Sequence, residues 1–347
     1  MLDFQSRGRL AADIALELCA IPSPAGMTRG AADRVAGILE GLGFPTERSA
    51  KGSVICRLAD GGDPLVLAAH VDTLGAVVRS VKPNGRLRFS KIGGYPDIYL
   101  ATETCRIHAR SGGIFTGTFQ PLDASVHVNA KLKESRIEED GLEILLDEDA
   151  PNRDAVLALG IAPGDVVSID ARPVRTEKGY LKSRHLDDKA GCAVLLALAR
   201  MVSEGGLSPD RRTYLLFTTY EEVGHGGAVI PGDCVEAISV DMGAVGDDLG
   251  CTERMVSICA KDSGGPYDWD VTNALAAAAR RAGCAYAVDV YPHYGSDVEV
   301  SLAAGHDVRH GLVGPGVYAS HGYERTHEDA LRNTLMLLAE YLRAPDA

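Results

Sequence analysis

Five places in this chain end an apolar run in histidine or carboxylate. "PLVLAAHVDTLG" delivers His70 and Asp72, "SRHLDDKAG" delivers Asp187 and Asp188, and "TYLLFTTYEEVG" delivers Glu221 and Glu222. "AISVDMG" delivers Asp241, and "VYASHGYERTH" delivers His321, Glu324 and His327. Singly, each has an ordinary reading: a capped turn at His70 and Asp72, a helix N-cap at Asp187 and Asp188, a surface histidine at His321. Together they offer one kind of donor at one kind of position. Imidazole with carboxylate is a borderline-hard set, suited to zinc, cobalt or manganese rather than calcium.

The number of donors suits two divalent ions. An aspartate bridging ions about 3.5–4 Å apart, with one histidine and one carboxylate added to each, leaves a position for a bridging water. The adjacent charges of Glu221 and Glu222 then acquire a reason. Cations screen their repulsion, Glu222 ligates, and Glu221 carries the proton from the water to the leaving amine. Asp72, two residues beyond His70, is expected to accept the imidazole's other N–H and fix its tautomer.

Side chains so far apart in sequence need a sheet to gather them, because open α/β sheets collect ligands at the carboxyl ends of their strands. "MLDFQSRGRLAADIALELCAIPSPAG" reads as an amphipathic helix stopped by two prolines and a glycine, and "RGAADRVAGILEGLG" as a second helix. A pair of strands follows at "SVICRLAD" and "PLVLAAHVDTLG"; the second is continuously apolar, as a strand buried on both faces must be. From about residue 77 the texture changes to short β-like runs: "GRLRFSKIG", "TCRIHARS", "GIFTGTF", "ASVHVNAKL", "LEILLDE" and "DVVSIDARP", with one short helix near "NRDAVLALG". Long helical and buried-strand segments return after residue 176. The expected fold class is α/β, a mixed, mostly parallel sheet flanked by helices, with a small β domain inserted. Residues 1–76 and 177–347 form the main domain and 77–176 the insertion.

The net charge of −13 argues against nucleic acid or an anionic membrane as partner. The N-terminal segment carries Asp13 and Glu17 within its apolar pattern, so it reads as a surface helix and not a signal peptide, and no apolar run reaches membrane-span length. Eight cysteines stand singly without a CxxC pair, which fits a reducing cytoplasm better than a disulfide or zinc-thiolate framework.

In this order the motifs resemble the glutamyl/deblocking aminopeptidase family of dinuclear metallopeptidases, the tetrahedral TET-type enzymes with a zinc-exopeptidase-like fold. The resemblance runs over nearly the whole chain: "HVDTLG", "IGG" and "LGIAPGDVV" in the insertion, "LDDKAGCAVLL", "EEVGHGGA", "SVDMGAVG", "YGSD" and the histidine before the last helix. It implies His70, Asp187 and Asp241 on one metal, and Asp187, Glu222 and His321 on the other, with Glu221 as general base. It also implies two divalent ions, zinc with cobalt or manganese as alternatives, and a homo-oligomer such as a dodecamer built from dimers through the inserted domain.

The chain departs from the family pattern at Thr73, where an acidic residue is usual, at His225, and at Glu324, which stands three and not four residues after His321. That spacing makes His327 a competing last ligand, and all three departures are expected near the substrate pocket. "SHGYERTH" is similar to a subgroup linked to the osmoprotectant N-acetylglutaminylglutamine amide. The expected function is a cytoplasmic metallo-aminopeptidase acting on the terminal amide of short peptides. The alternatives are a deacylase or amidase acting on a blocked dipeptide such as that osmoprotectant, and a non-catalytic metal-binding scaffold.

Overall fold

In the computed structural model, residues 3–134 and 137–343 are described, so the extreme ends of the expected domain bounds lie outside the described residues. The Asp3 side chain accepts the N–H of Ser6 and starts α1 (Phe4–Cys19), whose buried face includes Ala11, Ala12, Ala15 and Leu18. After α2 (Arg29–Gly41), β1 (Thr46–Arg48) and β2 (Val54–Ala59) pair antiparallel. Strand β3 (Gly62–His70) is buried from Leu65 to His70, as its apolar run requires.

The chain then leaves the sheet for a closed barrel. Its strands are β4 (Gly75–Val81), β5 (Leu87–Ile92), β6 (Thr104–His108), β7 (Ile114–Pro121), β8 (Leu142–Leu146) and β9 (Val166–Ile169), closed in the order β4-β5-β8-β7-β6-β9. Helix α3 (Arg153–Ala158) lies between β8 and β9. Leu87, Ile107, Ile144 and Val167 fill its core around Phe89 and Phe119, which meet edge to face at 4.9 Å. The run "ASVHVNAKL" forms no strand but a series of turns. Strands β7 and β8 pair directly, so the segment joining them has no sheet edge left to extend, and Val126 and Val128 stay 67% and 78% exposed.

Strands β10 (Val174–Arg175) and β11 (Tyr180–Ser183) return the chain to the main sheet and lead into α4 (Leu186–Ser203), buried without break from Leu186 to Ala199. The remaining elements are β12 (Arg211–Thr218), β13 (Glu236–Val240), β14 (Gly243–Val245), β15 (Val256–Lys261), α5 (Trp269–Ala282), β16 (Tyr286–Val290), α6 (Asp297–Ala303), β17 (Arg309–Tyr318), β18 (Glu324–His327) and α7 (Glu328–Tyr341).

Among the described residues, twelve strands make one mixed sheet with main path β1-β2-β12-β3-β13-β17-β18-β11-β10. Its centre is parallel, β12 with β3, β3 with β13 and β13 with β17, and its flanks are antiparallel. Strands β2 and β3, read as a pair from sequence, are separated by β12. A strand buried on both faces needs a neighbour on each edge, and β3 takes β12 and β13. His70 pairs with Thr218 and Ala68 with Ser239, so the parallel strands end together. Their shared end faces the barrel loops.

Candidate metal centre

His70 closes β3, and its own N–H donates to Asp188 Oδ2 at 3.2 Å. Its Nδ1 lies 3.0 Å from the Asp72 main-chain carbonyl, which can only accept, so Nδ1 carries a proton and Nε2 is the nitrogen turned towards the acids. Nε2 faces Asp187 Oδ1 at 3.2 Å and Glu221 Oε2 at 3.8 Å. His321 repeats the arrangement. Its Nδ1 donates to the carbonyl of Gly94 in the barrel domain, and Nε2 faces Asp187 Oδ2 at 3.4 Å and Glu222 Oε2 at 3.7 Å.

The expected contact of Asp72 with the imidazole is made by its main chain. The fully buried carboxylate stands 3.7 Å from Nδ1 and instead accepts the N–H of Glu221 at 3.1 Å and of Glu222 at 3.2 Å. Glu324 does the same across the cluster, accepting the N–H of Asp187 at 3.1 Å and of His321 at 3.0 Å. His321 sits at φ +66 in the left-handed region with its N–H held by this contact. The sequence offers Glu324 as a candidate donor and as a displaced family position, not as a backbone anchor; nothing in a sequence tells a carboxylate that takes peptide N–H groups from one that faces a ligand.

The peptide between Asp187 and Asp188 is cis, and the two side chains part. Asp188 accepts Gly191 N–H at 3.1 Å and starts the regular part of α4, as an N-cap would. Asp241 follows β13 directly and accepts the Met242 N–H at 2.6 Å, while the Tyr294 hydroxyl donates to the Met242 carbonyl at 2.8 Å. Asp297, within the "YGSD" motif, accepts Gly227 N–H at 2.6 Å and the Thr218 hydroxyl, tying down the loop after Glu222.

His327 stands elsewhere. Its Nε2 donates to the Lys178 carbonyl at 2.7 Å, its Nδ1 accepts Asp329 N–H at 2.9 Å as the cap of α7, and its ring meets Tyr180 edge to face. Thr73 is buried against Ser23, and the His225 ring stacks on Tyr220 beside Lys51; of the three departures, only the one around His321 borders the cavity above the cluster.

The electrostatics ask for positive charge. Glu222 is raised to about 8 by burial and then by Asp187, and Asp241 to about 7 by the same two causes. For His321 burial is outweighed by Asp187 and Glu222, which hold it at about 10, and His70 is held high by Asp187 and Glu221. Asp187 is depressed, burial being overcome by hydrogen bonds from His321 and His70. In the protein alone, protons held on the imidazoles and on the raised carboxyls offset the clustered charge. Glu222 Oε1 is buried with no partner at all. Ligand atoms of His70, Asp187 and Glu222, and of His70, Asp188 and Asp241, lie within 4.8 Å of one another. This donor chemistry fits divalent metal.

Comparison with known proteins gives the same answer. The family model for M42 glutamyl aminopeptidase matches residues 52–337. YhfE of Bacillus subtilis (strain 168), whose name carries an unproven aminopeptidase assignment, is 41% identical over 95% of this chain and 96% of its own. The lysyl aminopeptidase of Pyrococcus furiosus is 24% identical over 57% of this chain and 56% of its own. Among solved structures, aminopeptidase APDkam598 from Desulfurococcus kamchatkensis superposes with a TM-score of 0.85 at 20% identity, covering 97% of this chain and 95% of that one. The Pyrococcus horikoshii TET1 peptidase, described as assembling into a tetrahedron or a large octahedral shell, gives 0.84 at 20% identity over 95% of this chain and 98% of that one. The chain belongs to the M42 glutamyl aminopeptidase family and is a metal-dependent aminopeptidase.

Proposed function

We propose that this aminopeptidase works with two divalent ions, zinc or alternatively cobalt or manganese, and removes the N-terminal residue from short peptides. The observation that carries this reading is the split use of Asp187, whose two oxygens face the Nε2 atoms of two different histidines at 3.2 and 3.4 Å. His70 and Asp241 would hold one ion, Glu222 and His321 the other, and Asp187 both. When bound, such ions polarise the scissile carbonyl and lower the pKa of water towards ~7. Both glutamates line the cavity, but Glu221 lies 3.8 Å from His70 Nε2 while Glu222 lies 3.7 Å from that of His321, where the second ion would sit. Its carboxylate takes the proton of the attacking water and returns it to the amine nitrogen as the C–N bond breaks. Asp72 keeps Glu221 and Glu222 at their posts through the two peptide N–H groups it accepts.

Glu221→Gln removes the base and keeps the shape. It is expected to bind metal at wild-type stoichiometry while kcat falls ~10²–10⁴-fold. Near-native turnover in that variant would take Glu221 out of the mechanism. We further read the barrel as the dimerisation domain of a homo-oligomer, in keeping with the assembly described for the TET1 neighbour. A cytoplasmic setting is consistent with eight free thiols and with the finding that no helix among the described residues is long and apolar enough to cross a membrane.

A further inference from the structure

The cavity above the cluster, about 720 Å³, is also lined by Pro96 and Tyr99 of the barrel domain and by residues 293–296 with Glu299 and Val300. Among the described residues no lysine or arginine lines it. Arg184 comes near from behind, but its guanidinium is spent on the Tyr99 carbonyl and on Glu103. Beyond the cluster's own acids, the carboxylate that lines it is Glu299.

Glu299 is held in place. It accepts the N–H of Ser296 at 3.3 Å in the capping box that opens α6, which sets the direction of its side chain. Its Oε1 fills the notch beside Gly264, where an added Cβ would stand 1.8 Å away. Behind it is the fully buried Asp262, itself engaged by the Tyr267 hydroxyl at 2.6 Å and the Gly264 N–H at 3.0 Å. Lys261 donates to the Asp262 carbonyl at 2.6 Å and offsets one of the two acids, so this corner retains negative charge. Burial and Asp262 together raise Glu299 to about 7.

A side-chain carboxylate entering this cavity leaves water and needs a guanidinium or ammonium to replace its hydration. Here it meets a like charge. An amide of the same shape brings no charge to repel, and the Tyr294 hydroxyl, whose proton goes to the Met242 carbonyl, keeps a lone pair for its N–H. We propose that Glu299 is a specificity-determining residue that turns away substrates with an anionic N-terminal side chain, so that glutaminyl peptides are hydrolysed and glutamyl peptides are poor substrates, contrary to the family's name. This rests on the exopeptidase reading above.

The test compares glutaminyl, glutamyl and leucyl p-nitroanilides at a pH of about 8.5, above the value of about 7 to which burial and Asp262 raise Glu299. The metal-loaded wild type should favour glutaminyl over glutamyl roughly tenfold or more in kcat/KM. Glu299→Gln still accepts the Ser296 N–H and should bring the two within about threefold, through KM for the glutamyl substrate, while the leucyl rate is unchanged. Equal rates on both substrates in wild type, or a preference that survives Glu299→Gln, overturns the proposal and leaves the exopeptidase reading intact. No turnover of any of the three by metal-loaded enzyme overturns both.

Discussion

Two carboxylates that touch no imidazole Nε2 govern where the donors stand. Asp72 takes the peptide N–H groups of Glu221 and Glu222, and Glu324 those of Asp187 and His321. The donors themselves were legible in the sequence because acids and histidines at the ends of apolar strands have few other reasons to be there. The backbone contacts were not, since they depend on how turns fold after the strands end. Geometry that spacing does not contain favours His321 over His327 in the proposed site: one imidazole reaches Asp187, while the other has both nitrogens occupied at the start of α7. His321→Ala is therefore expected to lose about one metal equivalent, by analysis of the purified protein. His327→Ala should keep its metal and lose about 1 kcal/mol of stability as the cap goes. The reverse pattern would reassign the second ion.

At the scale of elements, the site depends on parallel strands that stop level with one another and on glycines that let β13 and β17 close up behind Asp241. A Cβ at Gly314 would lie 1.7 Å from the Asp241 carbonyl oxygen, so the backbone there must move to admit any side chain. Gly314→Ala is expected to lower stability by ~1–3 kcal/mol in denaturant titration and to weaken metal binding more than a cavity mutation of equal cost elsewhere. If it unfolds like wild type and holds metal as tightly, the close approach is not what places Asp241. Strand β3 and helix α4 could be read from their unbroken apolar runs. The turns around Val126 and Val128 could not, because alternation makes a strand only where a partner edge and a face to cover exist, and within one chain that segment has neither.

In the whole molecule the main sheet and the closed barrel meet at the cluster, where Gly94 of the barrel side holds His321. On the proposed assembly, the valines left bare on the barrel are covered by another copy. Val128→Asp is expected to reduce the mass measured by light scattering without lowering the melting temperature by more than a few degrees. A wild-type protein that scatters as a monomer would end the oligomer reading, and an assembly indifferent to the substitution would move the contact elsewhere. The barrel has a second task that no partner can perform for it, because the proton on the His321 ring is fixed by a carbonyl at Gly94. A chain spliced from Leu74 to Ala171 would lose that acceptor, and the ring would be held from its Nε2 side alone. Recombination among relatives can therefore trade one barrel for another only when the bend that carries this carbonyl arrives in the same pose.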